Sequence, residues 1–83
     1  MKDKTFKRDG YVIWSALSPE PYLASAAKWT DDVERAHIFG DLSQAITSCE
    51  HWAYFAASSG LEVIEVKAGK HLFEDGTTVY RSN

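Results

Sequence analysis

A helical stripe of small residues constrains this chain more than any other feature. Leu42, Ala45, Ile46, Cys49, Ala53 and Ala56 recur at spacings of three and four, the period that gathers side chains on one face of an α-helix. Asp41 stands before the stripe as an N-cap, with Gln44 at the third helical position in a capping-box arrangement. Ser58, Ser59 and Gly60 stop it. Alanine and cysteine are short, so a helix with this inner face can sit close to a flat neighbour. A sheet is that neighbour.

Strand signals lie on both sides of the helix. Tyr11, Val12, Ile13 and Trp14 are β-branched or aromatic and follow Gly10. Ser18, Pro19, Glu20 and Pro21 make a turn, because neither proline can donate to a ladder. Tyr22, Leu23, Ala24 and Ser25 predict a short return strand. Residues 61–66, "LEVIEV", alternate apolar and acidic side chains as a half-buried strand does. Asp75-Gly76 predicts a hairpin turn between residues 70–73 and 77–80. With 83 residues and 45% hydrophobic content there is material for one domain, 1–83, around a single small core. The expected architecture is α+β: a small antiparallel sheet of about four strands, one long helix packed on one face, and a short capped helix before it. Residues 1–9, where Lys2, Lys4, Lys7 and Arg8 alternate with Asp3 and Asp9, are expected to fray.

The short helix is predicted from "KWTDDVERAHIF", residues 28–39. Thr30 stands where an N-cap belongs, and Asp31 and Asp32 favour the positive end of the helix dipole. Val33, Ala36 and Phe39 share a face, and Trp29 can lie across the helix start. The two carboxylates are poor general acid–base candidates, since neighbours in a first turn diverge and stay in water. Every residue of the cluster has a structural task.

Tyr11-Val12-Ile13, then Tyr22-Leu23, Trp29-Thr30-Asp31-Asp32 with Ala36 and Phe39, an alanine-rich helix and Val63-Ile64-Glu65-Val66 form a pattern over residues 11–67. That pattern resembles short uncharacterised accessory proteins of bacteriophages and prophages. The resemblance implies provenance in a phage or mobile element and brings no catalytic or ligand residues. Such products, anti-CRISPR proteins among them, often act by occupying a surface of a host or defence protein, and by analogy that role is what the resemblance implies.

Several function classes are excluded on chemistry. His37, His51 and His71 are widely spaced, with no Cys-x-x-Cys or His-x-x-x-His pattern. The five glycines stand singly at element boundaries, so no phosphate loop is present. The serines lack a nucleophile-elbow context. Cys49 falls on the apolar stripe and, being the only cysteine, forms no intramolecular disulfide. No run is long and apolar enough for a membrane helix or an uncharged signal-peptide core. The expectation is a cytoplasmic protein with no enzymatic role, no cofactor and no metal.

Binding is the remaining class. Counting about 100° per residue from Leu42, Tyr54 lies near 120°, His51 near 180°, Phe55 near 220° and Trp52 near 280°. Rings therefore stand at the margins and back of the helix, where aromatic side chains mark protein interfaces. Either a wider core covers Trp52 and Tyr54, or they join His51 and Phe55 in an interface. The expected partner is a host or defence protein complex, or a second copy of the chain. Nucleic acid is the alternative: the basic head could contact phosphates and residues 11–14 could stack bases. A net charge of −3 and the acids Glu62 and Glu65 on the same sheet weigh against it.

Overall fold

Two pairs of consecutive β-branched residues, Val12-Ile13 and Val63-Ile64, set the sheet. Neighbours along a strand point to opposite faces, so a buried consecutive pair demands cover on both sides. The computed structural model describes residues 5–16, 19–24, 28–55 (Phe55 by its backbone alone), 60–72 and 76–82. Strand β1, Gly10–Ser15, runs antiparallel to β4, Leu61–Val66, from Gly10↔Val66 to Ser15↔Leu61. Val12 and Ile64 face one side and Ile13 and Val63 the other, all at 5% exposure or less. The half-buried strand expected over residues 61–66 is thus buried on both faces, because its alternation changes phase at Val63-Ile64.

Three shorter strands complete the sheet. Tyr22–Leu23 is β2, Trp29–Thr30 is β3 and Thr77–Arg81 is β5. The sheet is antiparallel and five-stranded, in the order β3-β2-β1-β4-β5, one strand more than expected. The unforeseen strand is β3, formed by Thr30, the expected N-cap of the short helix, and Trp29 before it. Ser18 of the predicted turn and Ser25 of the predicted return strand lie outside the described residues.

Helix α1, Leu42–Phe55, begins where its cap predicts. The Asp41 carboxylate accepts the Ser43 N–H at 3.1 Å, and the Asp41 carbonyl accepts the Ala45 N–H at 3.1 Å. Ala45 and Cys49 are fully buried and share a cluster with Ile13, Leu23, Leu61 and Val63. Leu42, Ile46 and Ala53 pack against the same cluster. Ala56, Ser58 and Ser59, at the predicted end of the helix, lie outside the described residues.

The opposite face is covered without a second long helix. Phe6, Ala36, Ile38 and Leu72 close over Val12, Ile64 and Val66. Here the sequence-based expectation needs three corrections. The short helix is a single 3-10 turn, Val33–Arg35, capped by Asp32 and not by Thr30. The Thr30 hydroxyl instead accepts the Asp32 N–H at 3.0 Å, and Asp32 accepts the Glu34 N–H at 3.0 Å. Residues 37–39 are extended: Phe39 bridges Tyr11, each N–H donating to the other's carbonyl at 2.7 and 2.9 Å. That ladder occupies the part of β1 that the two-residue β2 leaves open.

Second, the N-terminal segment is anchored from Phe6 onwards. Phe6 is 1% exposed, its ring meets Tyr22 edge-on at 6.0 Å, and its backbone exchanges hydrogen bonds with Lys70 and Gly69. The Asp9 carboxylate accepts the Ala68 N–H at 2.8 Å. Lys2 and Lys4 lie outside the described residues. Third, β5 pairs with β4, and the described residues 70–72 form no strand beside it. Phe6 engages the backbone of Gly69 and Lys70, and Leu72 turns into the core. Phe73 and Asp75 lie outside the described residues. A bulge at Val79, between Val63↔Tyr80 and Ile64↔Thr78, twists this edge strand.

Two expected outcomes follow from the second layer. Phe6→Ala should destabilise the fold by about 3–5 kcal/mol in urea denaturation, whereas a loss below about 0.5 kcal/mol would return the segment to a frayed tail. A Cβ on Gly10 would stand 2.5 Å from both the Phe39 carbonyl oxygen and Ile38 Cγ2. Gly10→Ala should therefore cost about 1–3 kcal/mol, and an unchanged melting temperature would refute the close approach.

Candidate protein-binding face

The inward side of α1 is fixed by packing, and that fixes its outward side. Ser43, Gln44, Thr47, Glu50, His51 and Tyr54 are exposed. Residues 43, 47, 50, 51 and 54 fall on one helical stripe. The hydroxyls near its start are satisfied locally: Thr47 donates to the Ser43 carbonyl at 2.9 Å and Ser43 donates to the Asp41 carboxylate at 3.1 Å. Glu50 is the only Asp, Glu, Lys or Arg in the helix, and its carboxylate accepts the Tyr80 hydroxyl from β5. That bond, more than burial, raises the Tyr80 phenol above its ordinary range. The helix is thereby tied to the outer strand, and the one formal charge on its outer face is engaged.

The four predicted interface residues divide. Tyr54 is 81% exposed, one turn beyond Glu50. His51 is exposed, and its ring stands edge-on to Trp52 with centroids 5.2 Å apart and planes at 88°. Trp52 is half-buried and packs against the cluster beneath the helix, so it belongs partly to the core. Phe55 closes the helix, and its side chain lies outside the described residues. His51 and Trp52 are brought together, with Tyr54 one turn along.

The other candidates have structural roles. The Cys49 thiol is fully buried, and burial is the main cause of its rise to about 11. Its neighbour Ser82 is the one buried polar residue among those described, its hydroxyl accepting the Leu61 N–H at 3.1 Å. Thr30 and Asp32 at the corner spend their side-chain oxygens on the turn. Arg35 Nε stands 3.7 Å from an Asp32 oxygen. Among the described residues, no three His, Cys, Asp or Glu side chains are grouped to hold a metal ion. No helix there is long and apolar enough to cross a membrane.

One feature had no sequence signal. Lys7 and Arg8 meet Arg35 and His37 across a groove of about 260 Å³. The pairs are more than 25 residues apart, and nothing in either stretch announces the other. Searches against protein-family models, curated proteins and solved structures return no match for this chain.

Proposed function

We propose that the chain works by binding another protein through the outer face of α1, with His51 and Tyr54 as contacts and Trp52 supporting them from the helix margin. The observation that carries this reading is the pairing of a large exposed ring, Tyr54 at 81%, with a helix face that holds a single carboxylate. Solvated helix faces are ordinarily rich in Lys and Glu, whereas interface centres are depleted in charge and enriched in Tyr and Trp. The bond from Tyr80 to Glu50 supports it further, because that charge would enter an interface already partnered. The resemblance to phage and prophage accessory proteins supports a partner drawn from a host or defence complex, inhibited by occupation of its surface. In this reading the chain is not an enzyme.

Surface rings separate from core residues in a simple comparison. Tyr54→Ala should leave the melting temperature nearly unchanged, since exposed substitutions cost within about 0.5 kcal/mol. It should weaken a captured host protein, or self-association seen in sedimentation, by about 1–3 kcal/mol. Trp52→Ala should lower both stability and association. Full retention of partner binding in the double variant His51→Ala, Tyr54→Ala would overturn the helix face as the interface.

A further inference from the structure

The groove between residues 7–8 and the turn Val33–Arg35 carries charge out of step with the rest of the chain. Lys7, Arg8 and Arg35 face one carboxylate, Glu34, around it, in a protein whose net charge is −3. Val33, Ala36, His37 and Ile38 complete its lining. Arg8 is held in place: its Nη2 donates to the Ile38 carbonyl at 2.9 Å, which leaves the rest of the guanidinium fork for another acceptor. Among the described residues neither Lys7 nor Arg8 has a carboxylate partner. Arg35 has only the 3.7 Å approach to Asp32, with its own side chain 79% exposed, a weak contact that a better anion can displace.

The donors select the ligand. Lys7 and Arg8 have no carboxylate partner among the described residues, and Arg35 has Glu34 beside it on the groove and Asp32 only at 3.7 Å. A phosphate monoester, at about −1.5 to −2 at pH 7, offers three acceptor oxygens to these donors where a carboxylate offers two. Guanidinium forks suit the phosphate oxygens, and an ammonium adds a point charge. A nucleic-acid strand needs basic surface continuing along its length, whereas the three cations described here share one groove of about 260 Å³. We infer that this groove binds a phosphate monoester group, held by Arg8 and Arg35 with Lys7 neutralising the remaining charge. The group comes from a small phosphorylated compound or from a phosphorylated side chain of a protein.

The test is a titration of the 15N-labelled full chain with inorganic phosphate, with sodium chloride at matched ionic strength as control. Saturable shifts confined to residues 7–8 and 33–38, with a dissociation constant in the millimolar range, are expected. Arg35→Gln should weaken binding about tenfold at an unchanged melting temperature, and Lys7→Gln should weaken it less. A phosphoserine peptide is compared with its unphosphorylated twin and with free phosphoserine. Tighter binding of the phosphopeptide assigns the source to a protein, and equal binding assigns it to a small compound. Chloride reproducing the shifts, Arg35→Gln binding as the parent does, or a single-stranded oligonucleotide binding more tightly than phosphoserine would each overturn the inference.

Discussion

The β1–β4 ladder is the constraint on which the rest of the molecule depends. Val12 and Ile13, and opposite them Ile64 and Val63, put apolar side chains on both faces of the same two strands. A sheet so built cannot leave either face to water, since each exposed aliphatic side chain forgoes about 1.5–3 kcal/mol of burial. Among the described residues there is one long helix to offer. That helix covers the face of Ile13 and Val63, and irregular segments must cover the other. Phe6, Ala36, Ile38 and Leu72 are drawn in from three separate stretches for that reason. The anchored N-terminal segment, the bridge at Phe39 and the tight passage at Gly10 are consequences of it.

What was legible in the sequence follows the range of each interaction. The helix was readable because its cap and stripe are local: Asp41 binds the Ser43 N–H two residues on, and the stripe Leu42, Ala45, Ile46, Cys49 and Ala53 packs as its period requires. Both central strands were readable from β-branched content. Their two-sided burial was written in the consecutive pair Val63-Ile64, but the flanking Glu62 and Glu65 imitate the alternation of a half-wet strand. Glu62 is instead occupied at the edge, accepting the Thr78 hydroxyl at 2.8 Å and lying 3.8 Å from Arg81.

The misread elements depend on distant partners. Thr30 followed by two aspartates satisfies a helix start locally, but pairing of Trp29 with Leu23 and of Thr30 with Tyr22 makes a strand of them. The cap then moves to Asp32, the next residue with an acceptor in reach of a free N–H. Phe6 in a lysine-rich head looks like a tail, since its burial depends on Tyr22 and Lys70. Of the candidate face, the wheel put His51 opposite the core stripe but left Tyr54 at its margin, where a wider core could have covered it. The 81% exposure of Tyr54 and the engagement of Glu50 by Tyr80 both required the packed sheet. The basic groove required the second layer itself.

The two proposed binding surfaces belong to different layers. The stripe through Glu50, His51 and Tyr54 lies over the cluster that contains Ile13 and Val63, whereas Ala36 and Ile38 of the groove belong to the cluster around Val12 and Ile64. The sheet stands between them. Substitutions at well-separated sites with no shared partner add in free energy to within about 0.3–0.5 kcal/mol. The same separation means that a partner seated on the helix leaves the groove open, so an anion held there can be an additional ligand without competing for the helix face. Coupling between the two would have to pass through the β1–β4 ladder, whose close-packed side chains offer no second arrangement at low cost. Independence of the two surfaces is therefore the physical default of this fold.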